Sequence, residues 1–232
     1  MGKARILDTA DEAVSVVRDG DTVLVGGFGL AGMPFDLIDA LIRQGARDLT
    51  IVSNNAGNGE VGLAALLAAG RVRKVLCSFP RQVDSYVFDD LYRRGEVELE
   101  VVPQGNLAER MRAAGAGIGA FYSPTAVGTP LAEGKETRTI DGRDYLLEYP
   151  IKGDVALISA HIADTMGNLL YRKTARNFGP VMVTAATTTI VQVPTVVSAG
   201  ELDPEAVVTP GIYVDRIVRV QARHYNTVQG AR

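Results

Sequence analysis

Apolar and polar positions along the first half of the chain follow two alternating periods. Short strand-like runs stand at Thr22-Val-Leu-Val-Gly-Gly-Phe28, Leu49-Thr-Ile-Val-Ser53, Val75 to Phe79 and Val97 to Val102, the first three mostly apolar, as strands covered on both faces must be. Between them the apolar residues fall at helical spacing. Thr9 or Asp8 can cap a first helix that carries Ala13, Val14 and Val17 and stops at Gly20. Pro34 stands where the next helix begins, and Phe35, Leu37, Ile38, Leu41 and Ile42 follow to Gly45. Glu60 to Gly70, Asp84 to Gly95 and Asn106 to Gly115 read as three more helices. Strands separated by helices of about ten residues require βαβ crossovers. The pattern therefore predicts an α/β fold, a mostly parallel open sheet with helices on both faces.

The middle of the chain breaks this rhythm. From Gly115-Ala-Gly-Ile-Gly119 to Thr129-Pro130 it is rich in Gly, Ser, Thr and Pro and reads as an ordered irregular segment. Thr137 to Ile151 then reads as a β-hairpin inserted into the fold, turning at Asp141-Gly142, with Tyr145, Leu147 and Tyr149 on one face. Val155-Ala-Leu-Ile158 and Thr189-Ile-Val-Gln-Val193 are two further buried strands. Phe178 to Ala186 can be a helix with Pro180 in its first turn. Leu202 to Pro210 reads as a loop with a short helix, and Ile212 to Val220 closes the fold. No linker, repeat or charge block divides the chain, so one domain over 1–232 is expected.

Composition narrows the chemistry. The 232 residues are 47% hydrophobic and 22% charged, the balance of a globular protein. Lys plus Arg is 24 against 27 for Asp plus Glu, which leaves no basic field for nucleic acid. Two histidines, His161 and His224, and one cysteine, Cys77, exclude an internal disulfide and the usual zinc ligand sets, so no metal site is expected. The start has no apolar segment before Asp8 and no Ser or Thr at position 6, features that argue against a secretory signal and a myristoyl group. The stretch Val61 to Gly70 is about half of the ~20 residues that a membrane span needs. A cytoplasmic protein is the expectation.

Gly27-Phe-Gly29-Leu-Ala-Gly32 is a literal G-x-G-x-x-G between a strand and a helix. A dinucleotide site would also want an acid at the end of the second strand, roughly 20 residues on. That strand ends instead in Ser53-Asn54-Asn55, and Asp48 lies at its other end. Pro34 also removes an N–H from the helix start that would face a phosphate. What remains is a loop whose Gly26, Gly27, Gly29 and Gly32 clear side chains from the edge where open α/β sheets bind ligands.

Several segments taken in order point to a family. Asp19-Gly-Asp-Thr-Val-Leu-Val-Gly-Gly-Phe-Gly-Leu-Ala-Gly-Met-Pro34, Ser53-Asn-Asn-Ala-Gly57, Pro103-Gln-Gly-Asn-Leu-Ala-Glu-Arg110 and Gly115-Ala-Gly-Ile-Gly-Ala-Phe-Tyr122 resemble the two-subunit 3-oxoacid coenzyme A transferases of class I. Glu133-Gly-Lys-Glu136, Tyr171-Arg-Lys-Thr-Ala-Arg-Asn-Phe178 and Thr209-Pro-Gly-Ile212 extend the likeness over nearly the whole chain; Ala126 departs from it, standing where a glycine is usual. The resemblance implies the A (alpha) half of such an enzyme. Asn54 to Glu60 and Ser78 to Tyr92 are most similar to the members that act on 3-oxoadipate, and less so to the acetoacetate type.

The resemblance further implies CoA and succinyl-CoA as substrates, with no permanently bound cofactor, and a beta (B) partner chain in an α2β2 assembly. The nucleophile would be a glutamate in a Ser-Glu-Asn-Gly segment of that partner, a segment absent here. Gln104 would donate to the oxyanion, and residues Gly26, Gly27, Phe28, Gly29, Leu30, Ala31 and Gly32 would approach the acyl-CoA. From the residues alone, Gln104 also fits a turn glutamine bonding local backbone. Asn54 and Asn55 fit either a role orienting a carboxylate or simple turn positions. Glu60 reads as an acidic first-turn residue at a helix N-terminus. Arg172, Lys173 and Arg176 fit a solvated face, a CoA phosphate contact or a partner contact. His161 reads as a hydrogen-bonded structural histidine and Cys77 as core. Two rivals stay open: a ligand-binding α/β domain without chemistry, and a dinucleotide-dependent oxidoreductase.

Overall fold

A computed structural model describes residues 4–221, so His224 lies outside the described residues. In chain order the elements are β1 (Arg5–Leu7), α1 (Ala10–Val14), β2 (Thr22–Val25), α2 (Phe35–Gln44), β3 (Leu49–Val52), α3 (Leu63–Ala68), β4 (Val72–Cys77), α4 (Tyr86–Arg93) and β5 (Glu98–Val101). Then follow α5 (Gln104–Gly115), β6 (Phe121–Ser123), β7 (Thr137–Ile140), β8 (Arg143–Glu148), β9 (Gly153–Ser159), β10 (Ile162–Asp164) and β11 (Leu169–Leu170). The chain closes with α6 (Gly179–Ala185), β12 (Ala186–Val193), β13 (Thr195–Val197) and β14 (Arg216–Arg219).

Eight strands form one sheet in the order β1-β14-β12-β9-β2-β3-β4-β5. Every pairing within it is parallel. Alternate residues of each strand serve opposite faces. Val23 and Val25, Ile51, Val75 and Leu157 enter a core with α1 to α4, while Leu24, Val52, Leu76 and Ile158 enter a second core with α5 and α6. Both faces are covered at the centre of the sheet, which is why β2, β3 and β9 read as largely apolar runs, while the edge strand β5 alternates Glu with apolar residues. The chain steps outward from β2 to β5, then returns to β9 on the other side of β2. The connections thus leave β2 and β9 in opposite directions, the place where open α/β sheets form a ligand crevice. Among the described residues no helix is long and apolar enough to cross a membrane.

Several boundaries differ from the sequence expectation. Strand β1 is an addition to the expected set; it is three residues long and mostly exposed, and it completes the sheet edge beside β14. Helix α3 starts at Leu63, so Glu60 lies in the preceding turn and not in a first helical turn. Its carboxylate sits against the phenol of Tyr86, which desolvation first and this carboxylate second hold above its ordinary range. Helix α5 begins at Gln104, two residues earlier than predicted. The segment expected to be irregular contributes β6, and the inserted hairpin is part of a three-stranded antiparallel sheet, β6-β8-β7.

The hairpin turns at Asp141 and Gly142, both with positive φ, as the primed turn requires. Tyr145, Leu147 and Tyr149 share the outer face, Tyr149 being exposed, while Leu146 and Glu148 are inside. Glu148 can be buried because it has partners. Lys135 Nζ lies 2.6 Å away, Asn106 Nδ2 donates at 3.0 Å and Arg110 is within 3.9 Å. These contacts fasten the small sheet to α5. A second small sheet, β11-β10-β13, covers the core beside α6.

Candidate active site

The carboxyl ends of β2, β3, β4 and β5 converge on an open cleft of about 410 Å³ lined by Phe28, Asn54, Ser78, Phe79, Gln82 and Gln104. Each strand delivers its residue by a different device. After β3 the pairing with β4 persists beyond the strand ends: the N–H groups of Ser78 and Phe79 both donate to the Asn54 carbonyl, at 3.2 and 3.0 Å. That fixes Asn54 in a nearly closed position, 1% exposed. After β5, Pro103 precedes the first residue of α5, and this residue is Gln104. Gln104 is therefore not a turn glutamine bonding local backbone. Its Nε2 donates instead to Asn54 Oδ1, fifty positions away, at 2.8 Å.

Asn54 Oδ1 accepts a second hydrogen bond, from Ser78 Oγ at 2.9 Å. With that oxygen doubly engaged, the Gln104 carboxamide is held in one orientation. A carboxamide nitrogen carries two hydrogens, so one N–H of Gln104 remains for a ligand in the cleft. Ser78 opens a segment that carries the family resemblance, but its residue type alone does not mark it for the site. Its hydroxyl proton is committed to Asn54, and no imidazole or carboxylate lines the cleft to accept it, so Ser78 is not an activated nucleophile.

Asn55 takes a different place from Asn54. It is 0% exposed, its Oδ1 accepts from the Gly57 N–H at 2.9 Å, and its side chain borders a small apolar void against Ile51, Leu63 and Leu67. The structure thus brings Asn54 and Gln104 together and leaves Asn55 in the core.

Of the glycine loop, Phe28 reaches the cleft and is half exposed. The loop closes on itself through a paired exchange between Phe28 and Ala31. Asn177 holds it from outside: the Gly27 N–H donates to Asn177 Oδ1 at 3.1 Å, and Asn177 Nδ2 donates to the Ala31 carbonyl at 3.0 Å. Gly32 has φ +73, and a Cβ there would overlap the Ala175 carbonyl, so the bracing segment packs where a side chain would be. Gly29, with φ +60, has open space above it. Asn177 lies in a segment that carries the family resemblance, but nothing there singles it out as a site residue. Arg172, Lys173 and Arg176 belong to the same bracing segment; they are exposed and form no ion pair among the described residues.

A dinucleotide does not fit at the start of α2. The Leu37 N–H is taken by the buried Gln192 Oε1 at 3.1 Å, and the Asp36 carboxylate occupies the first turn where a pyrophosphate would bind. His161 is exposed after β9; its backbone N–H donates to Leu170 O at 2.8 Å, and among the described residues its side chain has no hydrogen-bond partner, so the expected hydrogen-bonded structural histidine is not seen. Cys77 is core, and burial pushes its thiol up to about 12. No group of three or more potential metal ligands occurs among the described residues.

The site is thus an uncharged cleft with an oriented carboxamide at the carboxyl ends of parallel strands, the ligand edge of an α/β protein. The chain belongs to the coenzyme A transferase family, whose model matches residues 7–220. It is 67% identical over 219 residues to the A chain of the 3-oxoadipate CoA-transferase of Pseudomonas putida, covering 94% of this chain and 95% of that one. It is 50% identical over 218 residues to the A chain of a probable succinyl-CoA:3-ketoacid coenzyme A transferase of Bacillus subtilis, covering 94% and 90%. An acyl-CoA transferase apoenzyme from Escherichia coli O157:H7 superposes with a TM-score of 0.84 at 25% identity, over 98% of this chain and 49% of that one. This chain thus spans about half the length of that transferase.

Proposed function

We propose that this chain is the alpha half of a transferase that moves CoA from succinyl-CoA to 3-oxoadipate, assembled with a beta chain as α2β2. A glutamate carboxylate of the beta chain attacks the thioester carbonyl, giving a mixed anhydride and releasing CoA thiolate. The thiolate then attacks the glutamyl carbonyl, succinate leaves, and a glutamyl-CoA thioester remains. The acceptor carboxylate repeats these steps in reverse, a ping-pong exchange. Each attack makes a tetrahedral oxyanion, and the free N–H of Gln104 is the donor placed to meet it.

The observation that supports this most is the carboxamide of Gln104, fixed by Asn54 at 2.8 Å in a cleft that lacks an activated nucleophile. Phe28, Phe79, Val83 and Tyr86 are exposed, an apolar area suited to burial by a partner chain. The likeness to the Pseudomonas putida 3-oxoadipate CoA-transferase favours 3-oxoadipate as acceptor. The Bacillus subtilis relative, named for a 3-ketoacid, leaves room for a second reading in which the acceptor is a monocarboxylic 3-oxo acid such as acetoacetate. The test is a side-by-side assay of the assembled enzyme with both acids, succinyl-CoA being the donor. A higher kcat/KM for 3-oxoadipate is expected; a higher value for acetoacetate assigns the second reading.

A further inference from the structure

We propose that Gln82 determines acceptor specificity by donating a hydrogen bond to the distal carboxylate of a dicarboxylic 3-oxo acid. This rests on the acceptor proposed above. Gln82 shares the cleft with Gln104, and none of the six lining residues is charged. The neighbouring cation, Arg81, is not among the lining residues; its Nε is tied to Asp89 Oδ1 at 2.7 Å. The Gln82 backbone is clamped. Its N–H donates to Ser85 Oγ at 2.9 Å, and Ser85, buried, donates in turn to the Gly57 carbonyl at 2.9 Å. The Gly59 N–H bonds Asp84 O at 2.8 Å, a second tie to the loop that follows Asn54. The Gln82 carboxamide itself has no partner among the described residues. The clamped backbone keeps the unengaged Gln82 amide at the cleft wall, with both N–H groups available to a ligand.

3-Oxoadipate carries its second carboxylate five bonds from the reacting carboxyl carbon, whereas acetoacetate ends three bonds out in a methyl group. An acyl group anchored at Gln104 therefore presents charge to the far wall only when the acceptor is the diacid. Sites that hydrogen-bond a substrate group discriminate against analogues lacking it. In a ping-pong reaction the kcat/KM of the acceptor reports only the second half-reaction, so effects on the succinyl-CoA step do not enter it.

The experiment measures acceptor kcat/KM in the enzyme assembled with its beta chain, for wild type, Gln82→Leu and Gln82→Glu. Gln82→Leu is expected to lose about tenfold more on 3-oxoadipate than on acetoacetate, the worth of one hydrogen bond to a charged group. Gln82→Glu places like charges together and is expected to lose more still on the diacid. Equal losses on both acids, or none on 3-oxoadipate, overturn the role of Gln82. A wild-type enzyme that turns over acetoacetate but not 3-oxoadipate overturns the acceptor assignment itself, and this role with it.

Discussion

Asn54 Oδ1 accepts from both Gln104 Nε2 and Ser78 Oγ, so three side chains from three strand ends share one oxygen. This makes their contributions separable. Gln104→Ala removes the donor itself, and a single oxyanion donor is worth about 3 kcal/mol of transition-state stabilisation. The expected result is a kcat about a hundredfold lower in the assembled enzyme, with unchanged thermal unfolding; an undiminished kcat would take Gln104 out of the chemistry. Ser78→Ala leaves the donor in place but removes one of the two bonds that orient Asn54. Its kcat should fall several-fold while KM stays put, and Ser78→Thr, which keeps the hydroxyl, should restore most of it. A shift in KM alone would mean that Ser78 contacts substrate and does not position Gln104.

Strands and helices are joined here by ion pairs as well as by the two cores, and Glu100 shows how. It lies on β5, bonds Lys74 of β4 at 2.7 Å and Arg110 of α5 at 3.2 Å, and is half-buried. Burial alone would raise its pKa; the hydrogen bond and charge of Lys74, then those of Arg110, outweigh it and hold the carboxyl below its ordinary 4.5. The ionised form is thus favoured by folding. Its contribution is present above the ordinary value and is lost as pH falls through the lowered one. Urea midpoints taken from pH 6 down to pH 3 should fall less steeply in Glu100→Gln than in wild type; parallel slopes would show that the pair adds no pH-dependent stability. The central α/β alternation was legible because strands covered on both faces, β2, β3 and β9, are largely apolar. Which face of β8 is buried was not: Glu148 is inside because Lys135, Asn106 and Arg110 meet it there, contacts that no periodicity encodes. Strand β1 escaped for the opposite reason, since Arg5 and Ile6 sit exposed at an edge and leave almost no apolar signal. Among site residues, Asn54 and Gln104 were legible as amides at strand ends. Ser78 and Asn177 look like ordinary loop residues until the fold brings them to Asn54 and to Gly27.

At the scale of the molecule, two features converge on incompleteness. The cleft offers carboxamides, a hydroxyl and two aromatic rings, yet none of its lining residues is a carboxylate, imidazole or thiol. The one cysteine is buried and its thiol, pushed up to about 12, stays protonated at neutral pH. The attack on a thioester proposed above would then draw its nucleophile from a second chain, and the exposed Phe28, Phe79 and Val83 are an apolar rim suited to burial by it. The proposed division of labour predicts that the purified chain, although folded, transfers no CoA between succinyl-CoA and any 3-oxo acid. Co-expression with a partner chain carrying the glutamate should give a complex that elutes as a larger species and is active. Replacing that glutamate by glutamine should abolish turnover without dissociating the complex. Turnover by this chain alone would place the nucleophile on it, and the oriented amide of Gln104 would then have to serve a different attack.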